Sequence, residues 1–561
     1  MKFFLLCFLG FFVGISALGD LPHKQSEDRN NTKVNGYRGI WFELGQKYEY
    51  GDKYSGALGT YTAKHVPLAI YSPQVDKTFF VYGGTTYEPI RWLLCMIGEF
   101  DHQTGKVTKP TVVYDKKGVN DPHDNPALMI ADDGHIWVFV SGRGRTRPGF
   151  KFRSKEAYSI QEFVQISEEE MTYPQPWNTD HGYLHLFTKY TGVRQLYFES
   201  SSDGINWTSD ILLAAIPEKT GESSGHYQTS ACFSGEKVGT FFNRHPTGNV
   251  DKRTDLYYVE TGDLGITWTN VKGENLQVPL VKTDNPARVV DYKSLGKNVY
   301  MKDMGFDKLG NPVCLYIRSN GHMPGPVSSP YEWCVTVWDG EKWETSVINE
   351  SDHNYDMGSL YISEDSWKVV APFADSPQKW GVGGEIEIWE SVDKGKTWIR
   401  ILELTRNSQF NHAYVRKPLQ YKPPFCFFWA SGHAHQFSKS ELHFGDFKGN
   451  VWKLPYIMTE ESEFPEQIIT SSGSVEIQNE FQIKTYPNPN RGRFTVEITS
   501  DVMGPVKIMI STLEGKTILQ KDIQYFNGFC SEVIELPVKE GAYYIAVQSM
   551  YSRISELLFI Q

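Results

Sequence analysis

TGDLGITW at residues 261–268 and SVDKGKTW at residues 391–398 decide how this chain folds. Both fit S/T-x-D-x-G-x-T-W. Worn versions stand at Ser202-Asp203-Gly204-Ile205-Asn206-Trp207 and at Trp338-Asp339-Gly340-Glu341-Lys342-Trp343. In such an octapeptide the Asp caps backbone N–H groups of a hairpin, the Gly takes a left-handed conformation and the Trp packs between sheets. Two full and two degenerate copies, about one four-stranded unit apart, mark a radially repeated sheet protein. Between residues 36 and 454 there is room for roughly seven four-stranded blades. The aspartates of these turns are structural, and no chemistry is assigned to them.

The sequence around the repeats agrees. Phe79-Phe80-Val81-Tyr82, Ile136-Trp137-Val138-Phe139-Val140, Leu184-His185-Leu186-Phe187, Leu256-Tyr257-Tyr258-Val259, Val313-Cys314-Leu315-Tyr316-Ile317 and Cys426-Phe427-Phe428-Trp429 are short apolar runs between turn signals. Hardly any helical period interrupts them. The expected fold is all-β, a seven-bladed β-propeller followed by a small C-terminal β-sandwich. Expected boundaries are a signal peptide at 1–19, the propeller at 20–457, a Glu/Ser/Gly-rich linker at 458–482 and a second domain at 483–561.

Composition narrows the function. A net charge of -11 gives no basic field for nucleic acid or an anionic membrane surface. Residues 1–19, MKFFLLCFLGFFVGISALG, have a charged start, a short apolar run and a small-residue end, the pattern of a secretory leader. No later segment is long and apolar enough to span a bilayer. Cys95, Cys232, Cys314, Cys334, Cys426 and Cys530 are scattered without metal-ligand spacing and read as small buried hydrophobes.

A propeller binds ligands at one end of its channel, on loops from several blades, so candidate residues should recur about once per blade. The richest stretch is residues 121–154, DPHDNPALMIADDGHIWVFVSGRGRTRPGFKFRS. A polar knot, Asp121-Pro122-His123-Asp124-Asn125-Pro126, precedes the strand, and a turn with Arg143, Arg145 and Arg147 follows it. Arg offers a planar fork to a carboxylate and His moves a proton near neutral pH, so the pairing suits an acidic sugar. Further groups are Tyr61-Thr62-Ala63-Lys64-His65, Thr172-Tyr173-Pro174-Gln175, Lys189-Tyr190, Gly225-His226-Tyr227-Gln228, Asn243-Arg244-His245, Arg318-Ser319-Asn320-Gly321-His322 and Asn411-His412-Ala413-Tyr414.

Three resemblances add to this. The S/T-x-D-x-G-x-T-W turn is the Asp-box, or BNR repeat, of sialidase-like propellers. GYRGIWFELGQ (36–46), KYSGALGTYTAKHVPLAIYSP (53–73), KTFFVYGGTT (77–86) and residues 121–154 resemble the BNR-4 propellers, a group that includes ulvan lyases and enzymes cleaving L-rhamnose-α-1,4-D-glucuronate linkages. The resemblance implies a polysaccharide lyase acting by β-elimination at a uronic acid. A cation neutralises the carboxylate, a His or Tyr abstracts the C5 proton, and another protonates the departing oxygen. The catalytic candidates are Arg145 with Arg318 for the carboxylate, and His65, His123, Tyr173 and His226 for proton transfer. Asn125, Arg143, Lys189, Arg244 and His412 are candidates for substrate binding. Some relatives carry calcium in this region, and Asp121, Asp124 and Asn125 could offer it oxygen ligands, although their spacing matches no calcium loop. Residues 483–561 open on Tyr486-Pro487-Asn488-Pro489, turn at Glu514-Gly515 and close on Gly541-Ala542-Tyr543-Tyr544-Ile545, resembling the C-terminal sorting domain of type IX secretion. That implies a secreted or cell-surface protein of a Gram-negative bacterium, with the type IX machinery as a partner.

Other readings remain open at this point. A hydrolase releasing rhamnose from the same linkage would need an activated water, and the usual carboxylate pair does not stand out. A sialidase would need an arginine triad, which is not evident. A non-catalytic glycan-binding propeller would use the abundant Tyr and Trp as platforms.

Overall fold

The computed structural model describes residues 29–86, 90–190, 192–217, 219, 221–222, 224–373, 376–468, 482–513, 516–548 and 553–561. The leader at 1–19 lies outside them. Strand pairing divides residues 39–468 into seven sheets of four to seven strands and one isolated two-stranded ribbon. The first strands of successive sheets (Ala69–Ser72, Pro126–Ile130, Thr172–Thr179, Gln228–Phe233, Asn298–Phe306 and Ser359–Ile362) pack side by side around a central channel. The ring is closed by the chain's own start. Gly39–Glu43 pairs antiparallel with Ser438–Gly445, and Pro418–Leu419 runs parallel to Ala69–Ser72. A ring of short sheets closed in this way leaves only short, protected edges. The architecture is an all-β propeller.

The Asp-box turns behave as their residue types require. Asp263 accepts hydrogen bonds from Thr267 N at 2.8 Å and Thr267 Oγ1 at 2.7 Å, and Asp393 repeats this with Thr397 at 2.9 and 2.7 Å. Gly265 has φ +85°, and a Cβ there would collide with the Phe198 ring, so only glycine fits. Each full box joins the third strand of a sheet to the fourth, at the end opposite the loops that precede the first strands. That places them away from the site described below.

The linker expected at 458–482 begins inside the propeller. Ser462–Glu463 pairs with Lys106–Thr108, and Glu466–Ile468 pairs with Val451–Lys453. Alternating exposed and half-buried side chains in a short edge strand resemble a linker in composition, which is why sequence alone places the boundary early. Residues 469–481 lie outside the described set. Beyond them five strands form one hydrogen-bonded sheet about a single core that includes Val496, Ile498, Ile508, Ile510, Ile545 and Leu558. The long hairpin of Arg493–Thr512 and Thr517–Glu535 turns where Thr512 N bonds Lys516 O at 2.9 Å. All six cysteines of the described residues are free thiols. No helix of the described residues is long and apolar enough to cross a membrane.

Candidate active site

At the channel end where the first strands begin, side chains from most of the sheets converge on a cavity of about 110 Å³. Loops leading into first strands supply Tyr61, Thr62, Lys64, His123, Tyr227 and Tyr355. Three more residues arrive through β-bulges. Pairing skips between Thr172 and Gln175, between Met301 and Asp303 and between Ala413 and Arg416, and the cavity residues Tyr173, Lys302 and Tyr414 fall within those skips. A bulge leaves one residue unpaired and re-aims its side chain. Tyr173 and Tyr414 both have φ +57°, a left-handed conformation unusual for an aromatic residue and typical of strain held at a functional site.

The electrostatics of the wall are one-sided. Lys64, Arg143, Arg194, Arg253 and Lys302 line the cavity, and none of its described lining residues is Asp or Glu. Arg194 lies over the rings of Tyr190, Tyr227 and Tyr173 at 4.4, 5.4 and 5.8 Å, and its buried Nε has no hydrogen-bond partner among the described residues. Arg253 lies 4.3 Å from the Tyr227 ring and donates to Tyr355 Oη at 3.0 Å. Lys64 Nζ and Lys302 Nζ bond the carbonyls of Met301 and Asn354 at 2.7 and 2.6 Å. Burial pushes both lysines well below their ordinary range, and neighbouring cations add to this (Lys64 and Arg253 act on Lys302). Unpaired buried cations are costly, and an anionic ligand offsets that cost.

Two sets of groups can move protons. His123 sits in a short 3-10 turn, Pro122–Asp124, with its Nδ1 hydrogen-bonded to Asp121 Oδ1. Arg143 and Arg147 each reach Asp121 Oδ2 at 2.7 Å. Burial opposes ionisation of Asp121, but His123, Arg143 and Arg147 outweigh it and hold the carboxyl well below the usual range. Burial lowers the His123 pKa despite Asp121, so the ring is neutral at neutral pH, donates from Nδ1 and keeps a lone pair on Nε2. The second set is a pair of neighbouring phenols, Tyr173 and Tyr227, whose rings meet edge to face with centroids 5.4 Å apart. Burial raises the Tyr173 pKa well above normal. Burial also opposes ionisation of Tyr227, but Arg194 and Arg253 outweigh it and bring its pKa below normal. The two guanidiniums thus favour a phenolate at Tyr227.

Of the residues singled out from sequence, His123, Arg143 and Tyr173 are on this wall. His65 lies one layer beneath it, fully buried, with Nε2 3.3 Å from His123 O and Nδ1 facing Thr62. Asn125 donates to the carbonyls of Leu58 and Tyr61, which fixes the loop carrying Tyr61. His226 is used up by backbone, with Nδ1 2.9 Å from Asn243 O and Nε2 accepting from Ile216 N at 3.0 Å, and burial brings its pKa to about 4. Arg145 points to solvent with its side chain 92% exposed, 3.6 Å from Glu170. Arg318 pairs with Glu332 across the sheet, Lys189 with Asp210 and Arg244 with Asp255. His412 accepts from Trp429 Nε1 at 2.8 Å and faces Ser408, away from the cavity. The suggested calcium ligands do not fit a divalent cation. Asp124 pairs with Lys116 at 2.8 Å and Arg147 at 2.9 Å, Asp121 holds His123 and two arginines, and Asn125 turns its amide NH₂ to carbonyls. A second ligand-like group, Glu169, His185 and Glu199, is filled by Lys151 Nζ at 2.9 and 2.7 Å from the two carboxylates.

Arg194 and Arg253 were absent from every group recognised in the sequence. A signal existed. Arg143 and Arg147, Arg194 and Arg253 each stand at the turn into, or at the start of, the third strand of three consecutive sheets, before Gly149–Ser154, at Arg194–Ser201 and before Thr254–Thr261. That recurrence becomes visible only when the blades are aligned to one another.

Residues 96–351 match the BNR repeat-containing family, and residues 484–561 match the secretion system C-terminal sorting domain. An ulvan lyase of Nonlabens ulvanivorans is 21% identical over 377 residues, 59% of this chain and 75% of the relative. An ulvan lyase of Alteromonas sp. (strain LOR) is 23% identical over 260 residues, 40% of this chain and 52% of the relative. Among solved structures, a PL25 ulvan lyase superposes with a TM-score of 0.60 at 15% identity, covering 74% of this chain and 96% of that one. The same kind of enzyme bound to -[GlcA(1-4)Rha3S]- gives 0.59. The chain therefore carries a propeller similar to the BNR repeat-containing family and a C-terminal match to the secretion system sorting domain, and it is a secreted or cell-surface protein.

Proposed function

We propose that the propeller is a polysaccharide lyase that cleaves rhamnose–glucuronate type linkages by β-elimination. The observation that carries this reading is the cavity wall, with five basic side chains, no carboxylate among its described lining residues, and two neighbouring phenols beside the Arg194 and Arg253 guanidiniums. Arg194 and Arg253 grip the uronate carboxylate, which draws charge from C5 and makes its proton removable. Ionised Tyr227, between those two cations, takes the C5 proton. The electron pair left on C5 forms the C4=C5 bond, the C4–O4 bond breaks, and Tyr173 gives its proton to O4. Tyr227 then passes its proton to the adjacent Tyr173 phenolate, ready for the next turnover. Neutral His123, oriented by Asp121, offers Nε2 as an acceptor that holds a substrate hydroxyl or the Tyr173 phenol. Low-identity ulvan lyase relatives and the matching fold support a lyase. A hydrolase of the paired-carboxylate kind finds no acid among the described lining residues.

The test is to digest ulvan, and separately a rhamnose–glucuronate-capped arabinogalactan, while following the ultraviolet absorbance of the new unsaturated uronate. Absorbance should rise with the wild type and be lost in Tyr227→Phe. Reducing ends released without that absorbance would make the enzyme a hydrolase, and binding without turnover would make it a glycan-binding protein.

A further inference from the structure

The two-stranded ribbon belongs to none of the blade sheets. It is inserted between Gly39–Glu43 and Ser55–Ala57, which pair with each other, and consists of Lys47–Tyr48 against Gly51–Asp52. Leu44, Gln46 and Tyr54 at its base form part of the cavity wall. A two-stranded ribbon is at best marginally stable alone, and this one is held at several points. Lys53, almost fully buried, pairs with Asp251 at 2.8 Å, Tyr54 hydrogen-bonds the same carboxylate, and the Tyr54 ring packs 4.9 Å from that of Tyr355. At the tip, Tyr50 lies against Gly325 and against the Trp380 ring at 6.1 Å. A Cβ on Gly325, whose φ is +83°, would collide with Tyr50, and one on Gly51 would collide with His435.

These anchors come from the cavity-face loops of four different sheets. Trp380 itself has φ +65°, with its N–H held by Asp352 Oδ2 at 2.7 Å. Strain of this kind costs about 1–3 kcal/mol and persists only where the surroundings impose it. Beneath, the floor is shut. Gln175 bonds the carbonyls of Lys64 and Gln228 at 3.0 and 3.1 Å, and Arg416 bonds those of Thr62 and His65. The cavity is thus a blind well with a fixed wall on the ribbon side. Among the described residues no comparable ribbon stands at the rim around Arg143 and Tyr190, which carries the exposed Arg145.

We propose that this ribbon terminates the substrate groove, so that the protein takes an acidic polysaccharide by its end, with the chain leaving over the arginine rim. The inference rests on the polysaccharide-cleaving reading given above and adds where on the polymer it acts. A chain threaded through its interior would need a second exit, and the ribbon occupies that side.

Chain-end dependence is measurable whatever the bond-breaking chemistry. A uronate polymer is sheared by ultrasound to half its mean length and offered at the same subsaturating mass concentration as the intact polymer. Initial rates of bond cleavage should double, because ends double, and the mean mass of residual polymer should fall only in proportion to product released. Replacing Lys47–Asp52 with Gly-Ser-Gly should make mass loss per bond cut several-fold steeper. An unchanged rate on sheared polymer with an early collapse of mass in the wild type would overturn end action, even if the variant does not fold. Absence of any cleavage would instead overturn the enzymatic reading on which the proposal rests.

Discussion

Replacing Arg194 with Gln tests the assignment of Tyr227 as base. The Arg194 guanidinium lies 5.4 Å from the Tyr227 ring centroid in a buried setting. At that separation and an effective dielectric of about 20, a unit cation stabilises a phenolate by about 3 kcal/mol, or about two pKa units. The sign follows from the direction of the Tyr227 shift. Its pKa is below normal because Arg194 and Arg253 outweigh burial, so removing Arg194 must raise it. A base works only when deprotonated, and the ascending limb of the kcat/KM profile against pH should therefore move up by about two units. At a fixed pH below that limb, the rate should fall about a hundredfold from this cause alone, and loss of carboxylate neutralisation lowers it further at every pH. The assay is initial rate of double-bond formation across a pH series, with Arg194→Lys as the control that keeps a charge. A uniform loss with no movement of the limb would refute the reasoning: Arg194 would then hold substrate without tuning Tyr227.

Three further outcomes follow from the same geometry. Tyr173→Phe and Tyr227→Phe should each lower kcat by about 10²–10⁴, and the double variant should be little worse than either, as measured by a double-mutant cycle; additive losses would mean that the two phenols do not work as a pair. Asp121→Asn should cost about 1–3 kcal/mol, because it takes the carboxylate from partly exposed Arg143 and leaves Arg147 with Asp124 alone. Since the Asp121 carboxyl is depressed in the fold, that stability is present above the ordinary carboxylate pKa of about 4 and lost as pH falls below it. The gap between wild type and variant in urea unfolding should accordingly narrow in acid. His226→Ala should lose about 1–3 kcal/mol of stability through two stranded backbone groups, with kcat of the folded fraction intact, whereas exposed Arg145→Ala should change stability by under about 0.5 kcal/mol and leave kcat unchanged. A collapse of kcat in either would return those residues to the catalytic set.

The repeated octapeptides made the propeller legible because a hairpin cap is local: Asp263, Gly265 and Trp268 do their work within one turn, and so appear intact in one-dimensional sequence. The sorting domain was legible for the same reason, through its Tyr-Pro-Asn-Pro opening and Gly-x-Tyr closing strand. His123, Arg143 and Tyr173 were found because proton-transfer groups, cations and aromatics crowd into short stretches. His65 and His226 stand in equally suggestive stretches, yet one lies beneath the cavity and the other spends both nitrogens on backbone. In the 225–228 stretch it is Tyr227, one residue on from His226, that reaches the wall.

Sequence by itself determined the class of fold, the C-terminal sorting domain and the secreted or cell-surface destination that it implies. Tertiary structure alone decided which cations meet. Arg194 and Arg253 are far apart in the chain and become neighbours of one phenol only when two successive blades place their third-strand turns around one channel. It also decided which residues a bulge turns inward and which an ion pair removes from use. Those outcomes depend on ångström-scale approach between side chains on different blades, and a one-residue change in strand register reverses the face a side chain occupies.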